Sequence, residues 1–131
     1  MKVYLAIKYH SDMRNRDAIE KLSSLLEQQG ITIVCMARDF EQWGKKHYSA
    51  SELMRLTFDE IDSSDIIVIE FSEKGVGLGI EAGYAFAKKK PIFVLIQENA
   101  DLSKTLEGIA TKVQRYETLE DLSLDSLSIT R

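Results

Sequence analysis

Four short apolar runs punctuate the chain: VYLAI (residues 3–7), ITIVCM (31–36), DIIVIEF (65–71) and PIFVLI (91–96). Three of them are rich in β-branched residues and nearly continuous, the pattern of strands buried on both faces. The stretches between them follow a helical period. In RNRDAIEKLSSLLEQQG, Ala18, Ile19, Leu22 and Leu25 recur on one face, and Gly30 closes the segment. SASELMRLTFDEID opens with Ser49 and Glu52 at capping-box spacing. GIEAGYAFAKKK is Ala-rich and ends in three lysines that complement a helix dipole. A weaker helix over about 102–109 and a short strand near 112–116 follow, and Thr118 with Asp121 caps a last helix.

Strands and helices thus alternate five times. Such alternation predicts an α/β, three-layer fold of the flavodoxin or Rossmann-like kind, with a five-stranded parallel sheet in the order 2-1-3-4-5. Ligands bind such sheets outside the carboxyl ends of the strands, where the winding reverses. That point lies between the first and third strands. The segments KYHSD (8–12) and SEKGVGLG (72–79) face it.

Composition narrows the function classes. The 131 residues suit one domain spanning 1–131, large enough for a core without staples. The net charge of −4 offers no basic excess for a nucleic-acid backbone. Cys35 is the only cysteine, so no intrachain disulfide forms and a reducing cytoplasm is the expected setting. No signal peptide and no apolar run near 18 residues is present, so no membrane partner is expected. His10 and His47 share no ligand spacing with each other or with Cys35, so no metal site is expected.

The candidate chemistry sits in GVGLGIEAGYAFAKKKPIFVLI. Gly77, Gly79 and Ala82 match a dinucleotide fingerprint, but that fingerprint belongs after the first strand and this one follows the third. The glycines also suit a tight strand-to-helix turn with close packing at Gly83. Neither reading accounts for Glu81, an acid among small and apolar residues where a helix is expected to begin. A carboxylate in a first helical turn is held as the anion by the dipole. An ionised carboxylate in a crevice can attack an electrophilic carbon, as in glycosidases. The glycines would clear the approach of a sugar ring.

The same segment resembles the signature of the nucleoside 2-deoxyribosyltransferase superfamily, which includes the 2'-deoxynucleoside 5'-phosphate N-hydrolases. The similarity runs through most of the chain: VYLAIKY resembles the family's first strand with its tyrosine at Tyr4, and DIIVIEF its third strand. LSKTLEGIA (102–110) resembles the hydrolases' segment whose serine, matched by Ser103, reaches a neighbouring subunit's phosphate site. The resemblance implies cleavage or exchange of the N-glycosidic bond of a nucleoside or nucleoside 5'-monophosphate. It assigns Glu81 as nucleophile and Tyr4 as the residue that positions it. It implies no cofactor, and a homodimer or higher homo-oligomer. Two positions depart from the family. Thr57 stands where an aspartate is usual, on the inward face of the second helix, and a threonine cannot act as acid or base. Gly75 stands where transferases carry an aspartate and the nucleotide hydrolases a serine. The first departure keeps open an alternative: a low-turnover nucleotide-binding module with the same fold.

Other residues carry two readings each. Glu70 ends the third strand, as a plain strand-end acid or as a sugar contact. Lys8, Arg14 and Arg16 surround the start of the first helix, as solvated cations or as a 5'-phosphate site. Trp43 and Tyr48 lie in the long connection 37–49, a length typical of lids, and either stack on a base or anchor the loop. Cys35 reads as core packing. The candidate substrate contacts are therefore Lys8, Thr57, Glu70, Gly75, Gly77, Gly79 and Ser103.

Overall fold

A computed structural model describes residues 1–122. Five strands, β1 (Lys2–Ile7), β2 (Thr32–Val34), β3 (Ile66–Glu70), β4 (Ile92–Gln97) and β5 (Lys112–Tyr116), form one sheet. Every neighbouring pair is parallel and the order is β2-β1-β3-β4-β5, as the alternation predicts. The connecting helices are α1 (Arg16–Glu27), α2 (Ala50–Asp62), α3 (Val76–Ala87) and α4 (Lys104–Ile109).

Successive strand residues point to opposite faces, and the core splits accordingly. Val3, Leu5, Val68 and Leu95 pack with Ile19, Leu22 and Leu26 of α1. Tyr4, Ala6, Ile67 and Ile69 pack with Ile61 of α2 and with Leu78, Ala82 and Ala85 of α3. Each fully buried Leu or Ile contributes about 1.5–3 kcal/mol relative to exposure. Ser49 caps α2 as its spacing predicts: it accepts from the Glu52 amide while Glu52 accepts from the Ser49 amide, each at 3.2 Å.

Three elements differ from expectation. β2 is short, because the Cys35 amide donates to the Asp39 carboxylate at 2.9 Å instead of continuing the ladder. The chain then winds through a wide turn, Met36–Phe40, closed by the Glu41 amide on the Met36 carbonyl at 2.9 Å. α3 begins at Val76, with extended Gly75 before it, so Gly77 and Gly79 are helical rather than loop residues. Glycine is a poor helix former, and here burial of Leu78, Ala82 and Ala85 against the sheet holds the helix. At the C-terminal end, the Thr118–Asp121 pair caps a single tight turn, Leu119–Asp121. Any further helix of the predicted last element lies outside the described residues.

Candidate active site

β1 carries Tyr4 near its middle, with its ring on the α2/α3 face of the sheet. α3 carries Glu81 on the same side. The Tyr4 hydroxyl donates to Glu81 Oε1, the single hydrogen bond that the described residues give this carboxylate. Burial pushes the Glu81 carboxyl up to about 7, and the tyrosine bond offsets only part of that rise. Burial also raises the Tyr4 phenol well above its usual value, and the neighbouring Glu81 charge adds to it.

This corrects one expectation. Glu81 is not in the first turn of its helix but is the sixth helical residue. The dipole effect falls off within the first turn, so desolvation wins. Near neutral pH the group is poised between acid and anion instead of being held ionised.

Tyr4, Thr57 and Glu81 line one cavity of about 680 Å³. Thr57 is 3% exposed and points inward, as its place on the apolar face of α2 predicts. The cavity is completed by Gly77 of α3 and by Glu41, Trp43 and His47 from the connection between β2 and α2. A second cavity, about 730 Å³, lies between α3 and α4 and is lined by Lys74, Gly79, Gly83 and Ser103. The two share Lys8, Gly75, Val76 and Leu78. A Cβ at Gly77 or Gly79 meets no atom within 4 Å. Internal packing therefore does not demand glycine there; the clearance opens onto the cavities.

The remaining candidates divide. Lys8 sits at the junction of the two cavities and has no ion-pair partner among the described residues. Lys74, which the sequence did not single out, lines the second cavity alone and likewise has no ion-pair partner among the described residues. Arg14 instead donates to His10 Nδ1 at 2.8 Å, and Arg16 pairs with Glu20 at 3.0 Å. His10 Nε2 lies 2.6 Å from Glu73, which ties the two loops flanking the crevice together. Ser103 precedes α4, and its hydroxyl exchanges a 2.8 Å hydrogen bond with Thr105.

Glu70 does not join Glu81. It projects from the opposite face of the sheet into a smaller cavity beside α1. There it accepts from the Tyr116 hydroxyl, the Ser72 hydroxyl (2.6 Å) and the Ser72 amide (2.8 Å). Tyr4 is 66 positions before Glu70, yet strand alternation alone separates their faces: Tyr4 pairs with Ile67, and Ile7 with Glu70.

Trp43 is an anchor. Its ring lies 5.5 Å from Tyr9 and under the Arg16 guanidinium at 4.6 Å, while one edge faces the cavity. Tyr48 donates to the Phe40 carbonyl at 3.4 Å, within the same connection. Cys35 is buried, and burial raises its thiol to about 11, so it stays protonated as core packing. Among the described residues no group of three or more His, Cys, Asp or Glu is placed to hold a metal, and no helix is long and apolar enough to cross a membrane.

Sequence reasoning passed over Glu41 because the connection has no periodicity; its length was the one available cue. Lys74 was hidden for a related reason, as a lone cation in a loop of glycines.

Comparison with known proteins agrees with this architecture. The family model for nucleoside 2-deoxyribosyltransferase matches residues 3–123. A relative from Thermofilum pendens, with the provisional name 2'-deoxynucleoside 5'-phosphate N-hydrolase 1, is 25% identical over 115 residues, covering 87% of this chain and 77% of its own. A CMP N-glycosidase of Clostridium botulinum superposes with TM-score 0.72 at 23% identity, over 99% of this chain and 100% of its own. A 2-deoxyribosyltransferase of Bacillus psychrosaccharolyticus superposes with TM-score 0.71 at 16% identity, over 97% and 96%. At these identities the two structures speak to the fold.

Proposed function

The chain belongs to the nucleoside 2-deoxyribosyltransferase family, and on that premise we propose that it breaks the N-glycosidic bond of a nucleoside 5'-monophosphate by hydrolysis. Glu81 is the nucleophile. It attacks the anomeric carbon and forms a glycosyl ester, which water then opens. Tyr4 positions the carboxylate and, by donating to it, offsets part of the cost of burying its charge. The observation that carries this reading is the Tyr4–Glu81 hydrogen bond inside a cavity at the carboxyl ends of β1 and β3.

The monophosphate branch rests on the junction of the two cavities. With the sugar against Gly77 beside Glu81, a 5'-phosphate would reach past Gly75 into the second cavity, which is lined by Ser103 and by Lys8 and Lys74, two lysines without an ion-pair partner among the described residues. The lysines supply charge where Gly75 supplies no hydroxyl. The names of the Thermofilum and Clostridium relatives accord with this branch.

The test is chromatography of free base released from common nucleosides and their monophosphates, with and without an acceptor base. Release from a monophosphate above that from its nucleoside, lost in Glu81→Ala, is expected. Base exchange exceeding hydrolysis with a preference for the nucleoside selects the transferase reading. One observation favours a non-catalytic binder: the buried Thr57 takes the place of an acid. A binder is heat-stabilised by the nucleotide without consuming it, and Glu81→Gln then keeps its affinity.

Self-association belongs to the same proposal. α3 leaves Val76 (82%), Ile80 (47%) and Phe86 (56%) exposed beside the second cavity, an apolar face that a second copy would cover. Sedimentation of wild type against Ile80→Glu checks it; a monomeric wild type refutes it.

A further inference from the structure

The reaction proposed above leaves one proton without a source. As the bond to the anomeric carbon lengthens, the base gains negative charge and needs a proton. Thr57 is no acid. Glu60 is held by Lys2 at 2.8 Å, outside the cavity. Glu70 lies on the other face of the sheet with three donors on it. Glu73 is committed to His10.

Glu41 differs from all of these. It lines the same cavity as Tyr4, Thr57 and Glu81. Its side chain is half-buried and has no hydrogen-bond or ion-pair partner among the described residues. Its backbone is fixed on both sides. Its amide bonds the Met36 carbonyl, and its own carbonyl accepts from the Gly44 and Lys46 amides, each at 3.0 Å. Gln42 (φ 49) and Trp43 (φ 59) follow in left-handed conformations that ordinary residues avoid, and Gly44 (φ 91) completes the turn. The packing of Trp43 against Tyr9 and Arg16 holds that turn in place.

Resting on the N-glycosidic reading, we propose that Glu41 is the general acid of this reaction, replacing the acid that Thr57 lacks. The Glu81 carboxylate forms its ester bond to the anomeric carbon. The electron pair of the broken C–N bond passes to the base nitrogen, and the base takes the Glu41 proton and departs neutral. Water then attacks the ester; its oxygen bonds the anomeric carbon, its proton returns to Glu41, and Glu81 is freed as the carboxylate. Both glutamates end as they began.

Burial already raises the Glu41 carboxyl above its usual value, and a bound base displaces more water from it. The transition state then separates the two acids. Positive charge growing on the sugar favours the Glu81 anion, and negative charge growing on the base favours a protonated Glu41.

The experiment compares leaving groups. Base release is measured for wild type, Glu41→Gln and Glu41→Asp on ordinary monophosphates and on the corresponding 7-methylguanine nucleotide, whose base leaves without needing a proton. Glu41→Gln is expected to lose about 10²-fold or more on the ordinary substrate and to stay within about tenfold of wild type on the methylated one. Glu41→Asp, which keeps an acid, retains more of the ordinary rate than Glu41→Gln. Equal losses on both substrates, or no loss on either, overturn the assignment. So does the leaving-group pattern appearing in His47→Asn and not in Glu41→Gln. A wild type that releases base from neither substrate overturns the underlying reading, and this inference with it.

Discussion

Two tyrosine–glutamate pairs flank the sheet, one on each face. On the α1 face, Tyr116 donates to Glu70; on the α2/α3 face, Tyr4 donates to Glu81. The chemistry of each pair is the same, and the surroundings make them opposites. Glu70 accepts from Tyr116 and twice from Ser72, whose hydroxyl also accepts from the Gln97 amide at 3.0 Å. That network fastens the ends of β3, β4 and β5 together. Glu81 has one donor among the described residues and borders a large cavity. Burial without enough donors is what pushes its carboxyl to about 7. A buried acid is structural when donors surround it, and available for chemistry when they do not.

Removing each acid gives the widest separation. Glu81→Ala is expected to lower turnover by at least about a thousandfold, since the covalent step disappears, with the fold retained. Glu70→Ala leaves turnover per folded molecule unchanged but strands the buried Tyr116 hydroxyl and two half-buried Ser72 donors, which costs about 1–3 kcal/mol. Base-release assays alongside urea unfolding check both. Comparable losses of activity in the two variants would erase the distinction.

The pH dependence of stability sharpens the contrast. The Glu81 carboxyl titrates near 4.5 when unfolded and about 7 when folded. Between those values the folded state binds the extra proton. Its contribution to stability is fully present below about pH 4.5 and is lost as pH rises through about 7. Above that the fold carries a buried anion, at a cost on the order of 3 kcal/mol, because each unit of difference is about 1.4 kcal/mol. Glu81→Gln should therefore be more stable than wild type by about that amount near pH 8.5, and no more stable near pH 4. Urea titrations at the two pH values read the difference directly. A gain that does not depend on pH would mean that burial does not set the titration of Glu81.

The smallest effects come from the hydroxyls. Tyr4→Phe removes one charge-assisted hydrogen bond, worth about 1.5–3 kcal/mol, and should slow turnover roughly 10- to 100-fold. Tyr116→Phe loses a bond of the same kind, yet Ser72 still serves Glu70, so a stability loss of about 1–3 kcal/mol with unchanged turnover is expected. Steady-state rates and melting curves of the two variants, measured side by side, complete the comparison. A turnover defect in Tyr116→Phe would connect the two faces of the sheet.

Much of this was legible in the chain. The parallel, helix-covered sheet followed from alternation, because parallel strands need helical crossovers of one hand, and the order chosen for five strands is the one observed. The capping of α2 followed from Ser49 and Glu52, and the inward direction of Thr57 from helical periodicity. Tyr4 and Glu81 were paired through resemblance, and the structure brings them into contact. Glu70 shows the limit. Its closeness to the crevice along the chain suggested a shared site, but one residue of register sends a side chain to the other face.

The sequence by itself determined the elements and their winding, since periodicity, caps and alternation act over a few residues or through a topology with few solutions. It did not determine which buried acid would lack donors. That was decided when α3 began at Val76 and carried Glu81 beyond reach of its own helix terminus. It was decided again when the left-handed turn after Glu41 brought a second carboxyl to the cavity that holds Tyr4 and Thr57. Desolvation depends on every atom packed around a group, and those atoms come from segments far apart in the chain; only the assembled structure brings them together.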